Sequence, residues 1–443
     1  MSAQEDNLYE YQIEGQSGIY NLAWPNLRVS AHVAYMKNES NHETKGEVTF
    51  RSERPTAPGH LFNGRLNFTS PTAKKTFAKA IAERDDQVDW GQVVEQLCMG
   101  VMSRHRAGSP VITLTGNVDT KQFQKWLVHP LIPLREPTVI YAPGATFKSY
   151  LALYIAVLVD AGMSHNGLNV ERAASVLYCD WETSSQELNI RATLLRRGLG
   201  IEGECSIQYR SMTQGLADDI ERIKEICLDD AIDFIVIDSI GQACGAEPES
   251  AAVVLNFFTK LRELGISSLC IDHTNKANDS KDAKNLFGSV YKYNQARQIL
   301  QAKTSQQEGS NKFDLVLLHV KANNSGKMKP NGFRIEFVKD SDGDVEKVLI
   351  DKMNVRDSEL EEHMMVVDRI QNALRNVSGG LSVAQLVEEL EKSENHIRKE
   401  LSKGKEKGLF VQLPTGNYAN RVWEQDIVQE AKQIFEEEES WRF

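Results

Sequence analysis

Between residues 138 and 320 the chain repeatedly sets a short, almost wholly apolar run beside a longer amphipathic stretch, and this alternation limits the possible folds more than any other feature. The runs are TVIYA (138–142), SVLYCDWE (175–182), DFIVIDS (233–239), SSLCIDHT (267–274) and DLVLLHV (314–320). Between them lie segments such as LADDIERIKEICL (216–228) and AAVVLNFFTKLRELG (251–265), whose apolar residues recur at helical spacing. A strand that is apolar at every position has no face to offer water and must be covered on both sides. Helices connecting successive strands supply that cover, so the expectation is an α/β fold with a parallel sheet over residues 131–352.

The flanks follow other rules. In residues 1–130, RVSAHVAYM, GEVTFRS and HLFNGRLNFTS alternate apolar with polar positions and are separated by Gly, Asn and Pro, which predicts a small antiparallel sheet. Helical spacing follows at Phe77, Ile81, Val93, Leu97 and Val101, with Asp89 placed to cap a helix. The region is expected to be an α+β domain for assembly or partner binding, as no catalytic cluster stands out in it. HPLIPLREPT is rich in proline and is expected to be a connector. In residues 360–430, two short helices, a third helix with a basic face (SENHIRKELSKGKEKG) and two strands joined through PTGN give a winged helix-turn-helix pattern.

A chain of 443 residues exceeds one ordinary core. Its net charge of -11 argues against a generally basic nucleic-acid coat, although a local cationic groove depends only on where the charges sit. The six cysteines show no C-x-x-C spacing, so buried reduced thiols are expected rather than a zinc site or a disulfide framework. The longest apolar run, Tyr150 to Val159, is too short to cross a bilayer, and the acidic N-terminus does not read as a signal peptide. The expectation is a cytoplasmic protein with no membrane partner.

The segment APGATFKS (142–149) sits where a phosphate-binding loop would follow the first strand. Such loops work because backbone N–H groups and a helix N-terminus converge on anionic oxygens. The pattern G-x-x-x-x-G-K-[ST] is broken at both glycines, replaced by Ala142 and Phe147, leaving Gly144 for a tight bend, Lys148 as the cation and Ser149 as the hydroxyl. Alone, it reads equally well as a loop feeding a core helix. The later runs change the balance, since Asp180 and Glu182, then Asp238, then Asp272, His273 and Thr274 all close strands of the same inferred sheet.

With these motifs the segment 131–340 resembles the RecA-like ATPases of the plasmid RepA hexameric helicase type and, more distantly, the DnaB-type replicative helicases. The resemblance implies a RecA-like phosphate-loop core binding ATP and Mg2+. It implies nucleotide contacts from Pro143, Gly144, Ala145, Thr146, Phe147, Lys148, Ser149 and Tyr150, and metal contacts from Ser149 and Asp238. CDWE resembles the strand carrying the catalytic glutamate, implying Glu182; DHTNK resembles an H-H-x-x-K segment with Asp272 in place of the first histidine, implying His273 as phosphate sensor. FGSVYKYNQARQIL is similar to a G-S-x-x-x-x-N-x-x-R stretch and LLHVKANNSG to a K-A-N segment. These imply Arg297 and Lys321 as cations acting on the nucleotide of a neighbouring subunit, in a homo-oligomer expected to be hexameric. Asn323 stands where DnaB-type enzymes have an arginine.

Lys276, Lys281 and Lys284 lie in the stretch after the His273 strand, where RecA-like rings face a central channel, and suit a single-stranded DNA backbone. Asp279 and Asp282 interleave with them, so an ordinary solvated loop fits equally. Arg398, Lys399 and Lys403 on the third C-terminal helix are placed for duplex DNA. The leading expectation is an ATP-dependent DNA translocase or helicase in replication or mobile-element processing. The alternatives are a DNA-binding regulatory or assembly protein that uses ATP as a conformational switch, and a filament-forming recombination or repair ATPase.

Overall fold

The computed structural model describes residues 8–16, 18–39, 42–108, 111–116, 125–245, 250–273, 290–306, 309–323, 326, 328–355, 360, 366–375, 377 and 379–421. Strands β1 (Gln12–Gln16), β2 (Ile19–Trp24), β3 (Val29–Asn38), β4 (Thr44–Ser52) and β5 (His60–Asn67) form an antiparallel meander in chain order. Burial alternates along β4, so one face of the sheet meets a core and the other meets solvent. Helices α1 (Pro71–Ala82) and α2 (Trp90–Ala107) cover the inner face, where Phe50 meets Trp90 edge to face at 5.6 Å. Phe77, Ile81, Val93, Leu97 and Val101 are buried there, and the Asp89 carboxylate accepts the Gln92 N–H at 3.1 Å, capping α2. β1, QIEGQ, has almost no apolar alternation and so carries no strand signal in the sequence.

Along the rest of the chain come β6 (Trp126–His129), β7 (Ile132–Pro133), β8 (Pro137–Ala142), α3 (Lys148–Ala161), β9 (Asn169–Val170), β10 (Val176–Asp180), α4 (Ser185–Leu199), β11 (Gln208–Ser211), α5 (Leu216–Asp229), β12 (Phe234–Asp238), α6 (Ile240–Ala243), α7 (Ala251–Glu263) and β13 (Ser267–His273). Then follow α8 (Val290–Gln295), β14 (Gln298–Ser305), β15 (Lys312–Ala322), β16 (Asn331–Lys339) and β17 (Val345–Met353). Nine strands make one sheet in the order β11-β10-β12-β13-β8-β14-β15-β16-β17, and β8 and β10 to β14 run parallel. The α/β expectation therefore holds. Helix α3 lies against the sheet with Leu151 to Val159 all buried, as an apolar circumference requires. It stops at Gly162, φ 62°, where any side chain would meet the Ala173 backbone at 2.9 Å.

Two expectations are corrected. DLVLLHV, inside β15, pairs antiparallel to β14 and is not part of the parallel set. Only six residues separate β14 from β15, enough for a hairpin but far short of a crossover, which needs a dozen or more. Leu315, Val316 and Leu317 are nonetheless fully buried, so the apolar run carries no sign of strand direction. HPLIPLREPT is no loose connector: β6, β7 and β9 form a three-stranded sheet, and Leu131 and Ile132 are buried in the core that holds α3. The residues between its prolines are apolar, and burial decides their fate.

The C-terminal described region contains α9 (Val366–Ala373), α10 (Val383–Leu390), α11 (Glu394–Glu406) and a hairpin of β18 (Phe410–Gln412) and β19 (Tyr418–Asn420). They pack around Ile370, Leu386, Leu390, Ile397, Leu401 and Phe410. Among the described residues no disulfide forms, no cluster of metal-binding side chains occurs, and no helix is long and apolar enough to cross a membrane.

Candidate nucleotide site

Strand register brings the sequence-predicted residues together. Asp180 pairs with Asp238 across β10 and β12, and His273 pairs with Ala142 across β13 and β8, so the carboxyl ends of four adjacent strands meet beside the loop 142–149. This is the edge where open α/β sheets receive ligands.

Gly144 and Ala145 form the turn of the loop, and Gly144 does so without a left-handed backbone. The left-handed residues are Ala145 (φ 60°) and Phe147 (φ 55°), while a Cβ on Gly144 would meet nothing within 4 Å. Gly144 is exposed, so its backbone is open to solvent. Phe147 stands where the usual pattern has glycine, and holding a bulky residue in that conformation costs about 1–2 kcal/mol. Its ring compensates by joining Phe313, Tyr150 and Phe337 at centroid distances of 4.1, 6.1 and 6.0 Å. The phosphate-type loop is thus anchored to β15 and β16.

Lys148 is buried, and its ammonium donates to Ala142 O at 3.0 Å, Pro143 O at 2.7 Å and Thr146 Oγ1 at 3.1 Å. Burial pulls it down to about 8, against the opposing pull of Asp238, Asp272 and Glu182. An anion reaching Lys148 must exchange at least one of these three bonds. The hydroxyl of the next residue, Ser149, lies close enough to the Asp238 carboxyl to favour its charged form, so the two groups expected to share a metal are already neighbours. Tyr150 packs in the aromatic cluster, with the Arg191 guanidinium 5.1 Å above its ring.

The carboxylates differ in environment. Asp238 is buried; its Oδ2 accepts from Tyr178 Oη at 2.9 Å, and its Oδ1 is buried without a hydrogen-bond partner. Burial pushes its carboxyl above the usual range, which suits a group completed by a cation. Glu182 is half-exposed, accepts from Ser239 Oγ at 2.8 Å and lies 3.6 Å from His273 Nε2. His273 first, with Ser239 adding to it, outweighs burial and holds Glu182 below the usual carboxylate value, ready to accept a hydrogen bond from water. Asp180 has a positioning part: its Oδ1 accepts the N–H groups of Glu182 and Thr183 at 2.8 and 3.1 Å and shapes the turn that presents Glu182. Asp272 is turned away into a buried ion pair with Lys292 at 3.0 Å.

These residues fit a magnesium nucleotide: an orphaned buried oxygen on Asp238, a hydroxyl beside it, a lysine, and open space over the loop backbone. Tyr178, Ser239 and Lys292 are the contributors that sequence reasoning passes over. Ser239 directly follows Asp238 in FIVIDS, whereas Tyr178 and Lys292 carry no signal without the fold.

Arg297 and Lys321 lie elsewhere. The Arg297 N–H donates to Pro137 O, at the opposite end of β8 from Ala142, and its half-exposed side chain pairs with Glu136 at 3.3 Å. Lys321 gathers the carbonyls of Tyr293, Asn294 and Ala296 at 2.7, 3.1 and 2.7 Å, closing the end of α8. Burial, then the Arg297 charge, lower it below the ordinary lysine value. Neither reaches the loop of its own chain. Thr274, Lys276, Lys281 and Lys284 lie outside the described residues. Arg398, Lys399 and Lys403 are exposed on α11, with Arg398 paired to Glu394 and Lys403 to Glu400 at 2.6 and 2.8 Å.

A family model described as an AAA domain matches residues 113–279, and it supports nucleoside triphosphate hydrolysis by this part of the chain. No curated protein matches. Among solved structures, a KaiC-like protein from Pyrococcus horikoshii is 13% identical over 54% of this chain and 99% of its own, with a TM-score of 0.35. The flagellar accessory protein FlaH from Methanocaldococcus jannaschii is 15% identical over 51% and 94%, TM-score 0.33. A third solved structure, an ATPase domain, is 12% identical over 46% and 82%, TM-score 0.36. Likeness at this level bears on neither activity nor partners, whereas the matched AAA segment spans the loop, Glu182, Asp238 and His273.

Proposed function

We propose that the chain is an ATP-hydrolysing, ring-forming DNA translocase of the cytoplasm, most concretely a helicase of the plasmid RepA type acting in replication or mobile-element processing. One observation carries the reading: Lys148, Ser149, Asp238, Glu182 and His273 meet at one end of the sheet, while Arg297 and Lys321 stand at the other. A site whose two further cations point away from it is completed by a second copy, and a hexamer repeats that contact around a ring.

In this reading residues 143–150 hold the phosphates of ATP, Lys148 neutralises their terminal charge, and Ser149 with Asp238 holds Mg2+. Bound magnesium supplies charge neutralisation at the reacting phosphate oxygens. Glu182 orients the attacking water, steadied by Ser239, and His273 links that carboxylate to the nucleotide's state. Arg297, with Lys321, stabilises the transferring phosphoryl group across the interface, a contribution of about a thousandfold or more for such a finger. Single-stranded DNA follows Lys276, Lys281 and Lys284 in the channel, and residues 360–430 act as a winged helix touching duplex DNA through Arg398, Lys399 and Lys403.

A second reading is a regulatory protein with ATP as a slow switch. It draws on Lys148, whose three donors are all met within its own loop, so that binding must first displace at least one of them. The deciding experiment measures ATP hydrolysis with and without single-stranded DNA for the parent, Lys148→Ala and Arg297→Ala, alongside particle shape with ATP and magnesium. DNA stimulation, strand separation and closed rings support the translocase. A rate indifferent to DNA without strand separation refutes it, and monomers favour the switch.

A further inference from the structure

Lys292 fills an unspecified position of the G-S-x-x-x-x-N-x-x-R stretch, yet it is 5% exposed and bonds both oxygens of Asp272, at 3.2 and 3.0 Å. Asp272 is 2% exposed, and its Oδ1 also accepts the His273 N–H at 3.1 Å. Desolvating two charges offsets much of their attraction, so a buried pair is weak as a stabiliser and better attested as a device that fixes one arrangement. What this pair fixes can be followed in both directions.

On one side, the backbone held by Asp272 is that of His273, whose ring is 3.6 Å from Glu182. On the other side, Lys292 lies in α8, whose last carbonyls are gathered by Lys321 and which leads within two residues to Arg297. Asp272 pairs in register with Tyr141 near the top of β8, and Arg297 is bonded to Pro137 at its foot. The α8 segment, from the Lys292 ammonium to Arg297, joins two levels of β8 that stand about 13 Å apart, four residues at roughly 3.3 Å each. It is pinned at the His273 end by Lys292 and at the other end by Lys321.

We propose that Lys292 is a positioning residue that makes α8 a strut between the two ends of the sheet, so that a displacement of His273 in one subunit moves Arg297 and Lys321 as one piece. The proposal rests on the ATPase reading above. Replacing either partner alone strands a buried charge, so the informative variants are Lys292→Arg, which keeps the pair, and the doubly neutral Asp272→Asn with Lys292→Met.

The test uses the full chain and three readouts: affinity for a non-hydrolysable ATP analogue with magnesium, kcat for ATP, and amide hydrogen exchange of residues 290–297 with and without the analogue. The double variant is expected to bind within twofold of the parent, to lose at least tenfold in kcat, and to lose the analogue-dependent change in exchange over 290–297. Lys292→Arg is expected to recover kcat to within threefold. A double variant with parental kcat and parental exchange response overturns the proposal. So does one whose nucleotide affinity falls along with kcat, because the pair is then plain scaffold. A parent that binds the analogue but hydrolyses nothing refutes the ATPase reading by itself, while the exchange response still judges the strut.

Discussion

Replacing Phe147 by glycine restores the common loop pattern and, on the structure, should weaken the protein. Relief of the left-handed backbone, φ 55°, returns about 1 kcal/mol. Against it stand three losses. Removing a half-buried phenyl side chain gives up about 1.5 kcal/mol, roughly half the value for full burial. The contact with Phe313 at 4.1 Å is worth about 1 kcal/mol beyond area, and glycine's extra freedom in the unfolded chain costs about 0.5–1 kcal/mol. The net effect is destabilisation by about 2 kcal/mol. At roughly 2–4 °C per kcal/mol for a domain of this size, the transition of the central sheet should fall by about 4–8 °C in a thermal melt of the full chain. Phe147→Leu, which keeps apolar volume but loses the ring contacts, should fall between. A double-mutant cycle with Phe313→Ala should show coupling, because the two rings share one cluster. A Phe147→Gly protein that melts at or above the parent would refute the claim that the aromatic anchor outweighs the strain.

Other outcomes follow from the buried charges. Because Lys148 is pulled down to about 8 and must be charged to hold an anion, nucleotide affinity should be flat below pH 8 and decline by up to about tenfold per unit above it, measured by calorimetry between pH 7 and 9.5. The sign for folding is opposite: charge on Lys148 costs stability below pH 8, and that cost fades as pH rises toward the ordinary value of 10.5. Asp238→Asn should raise the melting temperature of the ligand-free protein, since burial raises this carboxyl and one oxygen has no partner, while weakening magnesium-dependent nucleotide binding. Glu182→Gln should bind nucleotide like the parent and lose about a hundredfold or more in hydrolysis. With the parent, the acid limb of the rate profile assigned to Glu182 should lie below the usual carboxylate range.

Much of the central sheet is legible in the sequence because burial on both faces writes continuous apolar runs, and acidic residues closing those runs mark the ligand edge. TVIYA, SVLYCDWE and DFIVIDS need no tertiary information to be recognised as covered strands. β14, QILQAKTS, escapes notice because polar residues interrupt it, and β15 is recognised but placed in the parallel set, because a covered strand looks the same either way. The loop is a similar case. Sequence spacing places the turn at Gly144 and Lys148 and Ser149 after it, but the left-handed backbone of Ala145 and Phe147 carries no local signal.

What the sequence alone determined is the class of fold and the identity of most polar residues at the strand ends, since both follow from local pattern and burial. What only the tertiary structure decided is which of those residues face one another. Register sets Asp180 beside Asp238 and His273 beside Ala142, packing seats the Phe147 ring on β15, and a lysine twenty residues away turns Asp272 from a site candidate into half of a buried pair. Those outcomes depend on contacts between distant segments, which exist only once the chain has closed on itself.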